Sequence, residues 1–437
     1  MKWVRVQSLV IDLAYLLMAP FVIVPWLLLL VVKRRRGVGS LRERLGYLSL
    51  PPAAKPRIWL HAVSVGEFEA AWPLIQELTA NLPRYELVVS TTTTSAYALA
   101  RRRVDPSRVF LYPLDFGFAV RRSLRAVRPQ LVVLLELELW PNFLLNAAAD
   151  GVPIVVANGR VSARGFRRMR HARLLVRSMV RRVRQFFAQT DEYRDRLLAL
   201  GVPGDRIVVN GNLKFDRPPL ADRDERRRVF EARCGFPPQS RRWIAGSTHA
   251  GEEEIVLAVH HELRAEFADL SLILAPRHHE RAAVLVDECA RRGFSVARYS
   301  ATGSPAGAGA PGAPQVVVVD GMGELAGLYA CADAAFVGGS LVPVGGHNVL
   351  EAIAAGVATA HGPHMGNFAV ERRLCAEAGA AVEVASGSDL RAQVAGWLRE
   401  PARARAQALR GESLLAAHRG AAASTVRALR TLLRVDG

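Results

Sequence analysis

The chain has 437 residues, of which 50% are hydrophobic, and a formal net charge of +18 at pH 7. This length accommodates two domains with large cores. The four cysteines are scattered and form no CxxC pair, which argues against a zinc site or a disulfide framework and suits a reducing compartment.

The first predicted element is an apolar helix. Leu13–Val32 carries no charge, and at about 1.5 Å per residue it would span about 30 Å, the thickness of a hydrocarbon core. The basic run Lys33–Arg36 follows and would hold the downstream chain on the cytoplasmic side. We therefore expect a single N-terminal membrane anchor with its basic flank over residues 1–36. A cleaved signal peptide fits poorly, whereas a helix that only dips into one leaflet or docks on the membrane face stays open.

Short apolar runs then alternate with helix-length segments such as Glu67–Leu82 and Ser95–Arg103. A short, wholly apolar run is typical of a strand buried on both faces, and the alternation indicates βαβ units with a parallel sheet. We predict strands at residues 58–63, 86–91, 108–113, 131–136, 154–158, 185–189 and 207–211.

A basic segment interrupts this series at residues 160–184, where ten arginines alternate with Leu, Val and Met. The pattern predicts a basic amphipathic helix that contacts anionic lipid or an anionic acceptor near the anchor. The alternative is a solvated basic face. Charge alone also permits nucleic-acid binding, but no aromatic stacking pattern accompanies the arginines, so we expect no nucleic-acid partner.

A proline-marked break at Phe215–Ala221 and a charged helix at Asp222–Cys234 precede a second series. Its strands are predicted at residues 242–247, 270–276, 315–320, 334–339 and 357–360. The α/β chain thus divides into Rossmann-like domains at 37–215 and 216–400, and a helical segment at 401–437 packs back. Because ligands bind at the carboxyl ends of such strands, we expect the site in a cleft between the domains.

A literal GxGxxG match, Gly307, Gly309 and Gly312, lies in a Gly/Ala/Pro/Ser-rich stretch at residues 301–314. The motif needs a strand before it and a helix after it, and neither is predicted here. We interpret the stretch as a variable surface loop and not as a dinucleotide site.

Three strand ends of the first domain carry candidate catalytic side chains. In HAVSVGEFEAA, Glu67 opens a helix and would act as a general base toward a hydroxyl. The alternative is that Glu67 only complements the helix dipole in the first turn, and the residues alone favour this alternative. Glu136 and Glu138 follow an apolar strand, where a carboxylate is costly unless paired. In NGNLKFD, Lys214 would face developing negative charge or pair with a glutamate.

Four turns at strand ends of the second domain favour a nucleotide monophosphate site, the alternative being tight turns alone. Glycines let a backbone approach a ligand, N–H groups at a helix start attract phosphate, and an arginine suits a bidentate phosphate contact. Asn348 and Glu351 share a helical face and could bind ribose hydroxyls. Adjacent histidines diverge, so we discount a metal at His278 and His279. The other candidates are Ser247 and Thr248 for phosphate, Arg277, residues 321–324, Gly339 and Ser340.

Seven motifs together resemble one family. SVGE, ELELWPN, NGNLKFD, GSTHAGEE, PRHHER, GMGEL and VGGSLVPVGGHNVLE occur in the order and spacing of the Kdo transferases of lipopolysaccharide synthesis (glycosyltransferase family 30), over nearly the whole chain including the anchor. The resemblance implies a GT-B fold, with two Rossmann-like domains facing a central cleft. It implies inverting transfer of 3-deoxy-D-manno-oct-2-ulosonic acid (Kdo) from CMP-Kdo to a lipid A precursor, lipid IVA, at the cytoplasmic face of the inner membrane, without metal or cofactor.

The resemblance also implies roles for individual residues. The general base falls on Glu67, and the residues that assist the transition state fall on Glu136 and Lys214. The phosphate of departing CMP would be held by Arg277, the glycine-rich N–H groups and Lys214. The implied CMP contacts are Pro276, Arg277, Met322, Gly323, Glu324, Asn348, Val349, Leu350 and Glu351.

Two other functions remain open. One is another GT-B enzyme, either a nucleotide-sugar transferase or a sugar epimerase. The other is a membrane-tethered basic scaffold without catalysis.

Overall fold

In the computed structural model, the described residues are 3–17, 40–218, 220, 222–238, 240–302, 313–321 and 323–435. Most of the predicted anchor, most of the 301–314 loop and Met322 therefore lie outside the described residues. A helix covers residues 3–17 and begins before the uncharged run Leu13–Val32 does. Within the described ranges, no helix combines the length and the apolar character that crossing a bilayer requires.

The chain up to residue 216 alternates strands and helices, and all seven strands predicted there are confirmed to within two residues. The strands are β1 Arg57–Ala62, β2 Glu86–Thr91, β3 Val109–Leu111, β4 Pro129–Leu135, β5 Ile154–Gly159, β6 Gln185–Ala188 and β7 Ile207–Val209. The helices are α1 at residues 3–17, α2 Leu41–Arg44, α3 Val65–Asn81, α4 Thr94–Arg103, α5 Gly117–Val127, α6 Pro141–Ala149, α7 Ala163–His171, α8 Arg173–Val180 and α9 Asp191–Ala199.

The rest of the chain repeats the pattern. Its strands are β8 Arg242–Thr248, β9 Ser271–Pro276, β10 Val296–Arg298, β11 Val316–Val318, β12 Ala334–Val337, β13 Ala358–His361 and β14 Ala381–Glu383. Its helices are α10 Arg223–Cys234, α11 Glu252–Glu266, α12 Ala282–Arg291, α13 Leu325–Tyr329, α14 Leu350–Ala354, α15 Ala369–Ala378, α16 Gly387–Arg399, α17 Pro401–His418 and α18 Ala421–Val435. Sequence analysis missed β10 and β14, which are short, partly exposed edge strands without a continuous apolar run.

The strands form two parallel sheets of seven. Their orders are β3-β2-β1-β4-β5-β6-β7 and β10-β11-β9-β8-β12-β13-β14. In the first sheet the strand order reverses between β1 and β4, and in the second it reverses between β8 and β12. Ligands of open parallel sheets bind at the carboxyl ends of strands where the order reverses. The residues that follow these four strands are therefore the first place to look for a site.

Contacts divide the chain into two compact units. Unit 1 comprises Met1–Asp216 with His418–Gly437, and unit 2 comprises Arg217–Ala417. The segment 401–437 is two helices, and the second, α18, belongs to unit 1. Its buried residues Ala422, Val426 and Leu429 share an apolar cluster with Leu74 of α3.

The prediction of one amphipathic helix over residues 160–184 is wrong. The helix is interrupted at Ala172, between α7 and α8. Only α8 buries apolar side chains, namely Val176, Met179 and Val180, and they join the cluster that holds α6. No residue of α7 is fully buried, but its Phe166 and Met169 pack against the same cluster, and its arginines are exposed.

Candidate active site

Glu67 lies in the first turn of α3, directly after β1. Its carboxylate accepts the N–H of Val63 at 2.8 Å and the hydroxyl of Ser64 at 3.3 Å, while the Ser64 Oγ accepts the N–H of Glu67 at 3.3 Å. This pattern is a variant of the capping box, because Ser64 is the N-cap and the carboxylate accepts the N–H of Val63, the residue before it. The helix-start role considered from sequence is therefore present, and it also holds the half-buried carboxylate in one position.

Two more carboxylates stand beside Glu67, because β4 lies next to β1 in the sheet. Burial, with a smaller effect from the negative charges of Glu136 and Glu138, raises the pKa of Glu67 to about 8, and the hydrogen bonds from Val63 and Ser64 act in the opposite direction. Burial likewise raises the pKa of Glu138, whose carboxylate accepts the indole N–H of Trp140 at 3.0 Å. The structure thus brings together glutamates that are far apart in the chain.

The backbone at Glu136 supports a special role for this position. Its φ is 56°, in the left-handed region that non-glycine residues seldom adopt. Its N–H donates to the carbonyl of Ala157 at 2.9 Å, which ties the turn to β5. Strained backbone of this kind persists only where its surroundings hold it, and it often occurs at functional sites.

Lys214 lies in a 3-10 turn, Leu213–Asp216, that packs against α3. The turn is fastened by Asn158, whose side-chain oxygen accepts the N–H of Leu213 at 3.0 Å. The structure therefore places Lys214 beside the helix that carries Glu67. Asp216 has another function, since its carboxylate accepts the N–H groups of Gly420 and Ala422 at the start of α18.

In unit 2 a pair of histidines lies at the carboxyl edge of the sheet. His249 follows β8 and His347 follows β12; their Nε2 atoms are 2.8 Å apart and their rings stack with centroids at 5.1 Å. Burial lowers the pKa of His347 to about 3, helped by the nearby positive charge of Arg277. Burial also lowers the pKa of His249, next to the edge of the His278 ring. Sequence analysis missed this pair, because the two histidines are distant in the chain.

The glycine-rich loop after β12 is organised by a buried carboxylate. Glu252, at the start of α11, accepts the N–H groups of Gly339 at 2.6 Å, Ser340 at 2.8 Å and Leu341 at 2.7 Å. These N–H groups are therefore not available to a phosphate, which corrects the expectation for Gly339 and Ser340. A Cβ on Gly338 would lie 2.8 Å from the Glu252 carboxylate, so this glycine permits close packing within the protein instead of close approach of a ligand.

The predicted ribose contacts do come together. The Asn348 amide donates to the Glu351 carboxylate at 3.3 Å, and Arg217 lies 3.4 Å from the same oxygen. Val349 and Leu350 between them are buried. A ligand here would contact the polar side chains of Asn348 and Glu351. It could contact Val349 and Leu350 only through their backbone atoms, because their side chains are buried.

The remaining predicted residues lie at the same edge of the second sheet. Arg277 is exposed after Pro276, and its N–H donates to the carbonyl of Thr248 at 2.9 Å. The Thr248 side chain is buried and its hydroxyl faces Glu253 at 3.4 Å, so this hydroxyl is already occupied.

The other three positions are Ser247, Gly323 and Glu324. Ser247 is half-buried with a left-handed φ of 58°. Gly323 and Glu324 are exposed before α13. Among the residues that the structure describes, no three His, Cys, Asp or Glu side chains are placed to hold a metal ion.

Comparison with known proteins identifies close sequence relatives. Residues 39–217 match the family model of 3-deoxy-D-manno-octulosonic-acid transferase (kdotransferase). The chain is 35% identical to a 3-deoxy-D-manno-octulosonic acid transferase of Haemophilus influenzae over 83% of each chain. It is also 35% identical to the Bordetella pertussis protein of that name, over 88% of this chain and 89% of the other.

A solved structure supports the fold alone. UDP-GlcNAc 2-epimerase from Neisseria meningitidis, bound to UDP-GlcNAc, superposes with a TM-score of 0.57 at 14% identity, covering 86% of this chain and 100% of that one. The two parallel-sheet α/β units are therefore like those of GT-B proteins.

Proposed function

The chain belongs to the 3-deoxy-D-manno-octulosonic-acid transferase family, and on this premise we propose that it moves Kdo from CMP-Kdo to the lipid A precursor lipid IVA, with inversion. It is an enzyme of the glycosyltransferase class that transfers Kdo in lipopolysaccharide synthesis. The observation that carries the proposed chemistry is the raised pKa of Glu67 beside Glu136 and Glu138.

Glu67 is the proposed general base. A base that titrates near pH 8 takes a proton more readily than an ordinary carboxylate does, and its pKa lies close to the working pH. It removes the proton from an acceptor hydroxyl as that oxygen bonds to the anomeric carbon of Kdo. The bond from that carbon to the CMP phosphate oxygen breaks, and CMP leaves with the negative charge. Glu136 and Lys214 assist this transition state, as the family resemblance implies.

The second unit binds CMP in this proposal. Asn348 and Glu351 form a polar pair that suits ribose hydroxyls, and exposed Arg277 suits the single phosphate. The N–H groups of Gly339 and Ser340 hold Glu252 instead. Phosphate recognition therefore falls to Arg277 and to donors other than these two N–H groups.

We also propose that the protein works at the cytoplasmic face of the inner membrane through its N-terminal segment. The apolar run up to Val32 and the basic run Lys33–Arg36 support this location. The exposed arginines of α7 are suited to the phosphates of the acceptor or of the bilayer.

Glu67→Gln tests the role of the base. We expect kcat for transfer from CMP-Kdo to lipid IVA to fall by roughly 100-fold or more, while CMP binding measured by calorimetry is unchanged. The control is Glu69→Gln on the same helix. Glu69 pairs with Arg103 at 2.9 Å and does not belong to the set of Glu67, Glu136 and Glu138. Near-normal turnover of the Glu67 variant would refute the assignment. Competition of binding by UDP in place of CMP would favour another nucleotide-sugar enzyme.

A further inference from the structure

Asn158 lies at the carboxyl end of β5, at the same sheet edge as the glutamates of the candidate site. β5 pairs with β4, with Ala157 opposite Leu135, so Asn158 and Glu136 occupy neighbouring strand ends. Their φ angles are 57° and 56°, both left-handed. Asparagine adopts this conformation at a lower cost than most residues with a side chain. Two adjacent strands therefore turn in the same way where the site lies.

The side-chain oxygen of Asn158 holds the turn that carries Lys214. This oxygen accepts the N–H of Leu213 at 3.0 Å, although the two residues are 55 positions apart in the chain. Asn158 is only 2% exposed. The turn packs against α3, the helix that carries Glu67. Asn158 therefore connects the turn of Lys214 to the carboxyl edge of the sheet.

The backbone around Asn158 is fixed as well. Its carbonyl accepts the side-chain N–H of Gln189 at 2.9 Å, and the backbone N–H of Gln189 donates to the carbonyl of Gly159 at 3.1 Å. A Cβ on Gly159 would lie 3.1 Å from the carbonyl oxygen of Phe187 in β6, so the two strands approach each other closely. Because β6 holds its backbone, Asn158 is a rigid support for the turn.

The nitrogen of the same amide is not used by the fold. An amide oxygen accepts hydrogen bonds and its nitrogen donates them, so the bond to Leu213 leaves Nδ2 as the remaining donor. Nδ2 is buried, and it has no hydrogen-bond partner among the residues that the structure describes. An unpaired buried donor lowers stability. An aspartate would accept from Leu213 without leaving such a donor, so the fold alone does not explain the asparagine.

The charge of the neighbouring residues does explain it. Glu136 and Glu138 follow the adjacent strand, and their negative charges contribute to the raised pKa of Glu67. A carboxylate at position 158 would add another negative charge at this edge and raise that pKa further. The amide of Asn158 supplies the same acceptor without a charge.

We propose that Asn158 is a positioning residue of the transfer reaction, which fixes Lys214 relative to Glu136 without adding charge to the glutamates. It acts through the turn of Lys214 and not by contact with a substrate. This role rests on the proposed function, because Lys214 and Glu136 assist only if Kdo is transferred. It makes a neutral acceptor at position 158 a further requirement of the reaction.

Two substitutions separate the effect of the hydrogen bond from that of the charge. Asn158→Gly removes the acceptor, and glycine adopts a left-handed φ without strain. Asn158→Asp keeps the acceptor and tolerates the same φ, but it adds a negative charge. Asn81→Asp, at the exposed far end of α3, is the control for added charge. Steady-state transfer of Kdo from CMP-Kdo to lipid IVA is measured for each protein from pH 5 to 9.

The two variants should differ in their kinetics. We expect kcat of Asn158→Gly to fall roughly 10- to 100-fold at every pH, because the lysine is no longer held in place. Its KM for CMP-Kdo should stay the same, since the proposed CMP contacts lie in unit 2. Asn158→Asp should move the rising limb of kcat/KM to higher pH by at least about half a unit, with kcat recovering toward the wild-type value at pH 9. Asn81→Asp should follow the wild-type profile.

Amide hydrogen exchange gives a readout that does not depend on catalysis. The N–H of Leu213 should exchange faster in Asn158→Gly and at the wild-type rate in Asn158→Asp. Wild-type kcat in the glycine variant would overturn the proposal, and so would an unshifted pH profile in the aspartate variant. Faster exchange throughout unit 1 in the glycine variant would show a general structural role instead. A wild-type protein without Kdo transfer would reject the proposed function itself, whereas the preceding outcomes in a protein that transfers Kdo would reject only the role of Asn158.

Discussion

The Nε2 atoms of His249 and His347 lie 2.8 Å apart, with the two rings stacked almost parallel. One Nε2 must donate its hydrogen to the lone pair of the other, because two N–H groups cannot face each other at this distance. A second proton on the pair would be buried beside the positive charge of Arg277. The two turns after β8 and β12 are therefore joined by a neutral contact.

We predict that this pair makes stability depend on pH in one direction. The folded pKa of His347 is about 3, below its ordinary 6.5, so the unfolded chain binds more protons between these values. The free energy of unfolding therefore falls as the pH drops from about 7 to 5, by up to about 2 kcal/mol from this group. His347→Asn should flatten that dependence in denaturant titrations, and His171→Asn, at an exposed position, should not. An equal effect of both variants would contradict the prediction.

A second prediction concerns the pH–rate profile. Because Glu67 must be ionised to act as a base, kcat/KM for transfer should rise with pH up to about pH 8. Glu138→Gln removes one of the two neighbouring charges that raise this pKa, so the rising limb should move to lower pH. Steady-state kinetics from pH 5 to 9 measure both profiles. A rising limb that stays in place in the variant would show that Glu67 is not the titrating group.

The same raised pKa has a consequence for stability, with the opposite sign to that of His347. Between the ordinary carboxyl pKa of 4.5 and about 8, folded Glu67 binds more protons than the unfolded chain does. Stability from this group is full below pH 4.5 and is lost as the pH rises through about 8. Glu67→Gln should therefore raise the free energy of unfolding more at pH 9 than at pH 5, as measured by urea titration. A larger gain at pH 5 would contradict this.

Glu252→Gln should damage the loop after β12. The carboxylate of Glu252 serves three loop N–H groups, and an amide offers only one oxygen, so at least one buried N–H loses its acceptor. We expect a loss of about 1–3 kcal/mol in the free energy of unfolding, and weaker CMP binding by calorimetry. Glu254→Gln, two residues on and exposed, is the matched control. Unchanged stability of the Glu252 variant would show that the loop holds its shape without this carboxylate.

Asp216→Ala should loosen α18. The substitution removes the acceptor for the N–H groups of Gly420 and Ala422 at the start of that helix. Loss of such a cap costs about 1 kcal/mol, and amide hydrogen exchange should accelerate in α18. Asp205→Ala, at an exposed position in the same unit, provides the comparison. Exchange that does not change in α18 would mean that packing on α3 alone holds the helix.

The interior strands were predictable because their signal is local. β4 and β5 are buried along nearly their whole lengths, so each is a continuous apolar run. The edge strands β10 and β14 are partly exposed and lack that run. The break at Ala172 was missed for a related reason, since the arginines on both sides of it show the same pattern, and α7 and α8 differ in how deeply their apolar side chains are buried in one cluster.

Contacts of the site between residues close together in the chain were also predictable from the sequence. Ser64 and Glu67 are three residues apart before an apolar stretch, which is the spacing of a capping box. Asn348 and Glu351 have the same separation and are in contact, although not as predicted on one helical face, because Asn348 precedes the helix that begins at Leu350.

The residues that raise the pKa of Glu67 and that occupy the N–H groups of the glycine loop come from distant parts of the chain. Glu67 meets Glu136 and Glu138 because β4 returns beside β1, and Glu252 meets Gly339 because β12 returns beside β8. Periodicity reports which residues are buried or share a helix face, and it thereby revealed the alternating strands, the helix starts and the candidate side chains. Periodicity does not determine which strands are neighbours in a sheet. The raised pKa of Glu67 and the occupied N–H groups of the glycine loop both depend on strand ends that are distant in the chain and adjacent in the fold, so only the tertiary structure determines them.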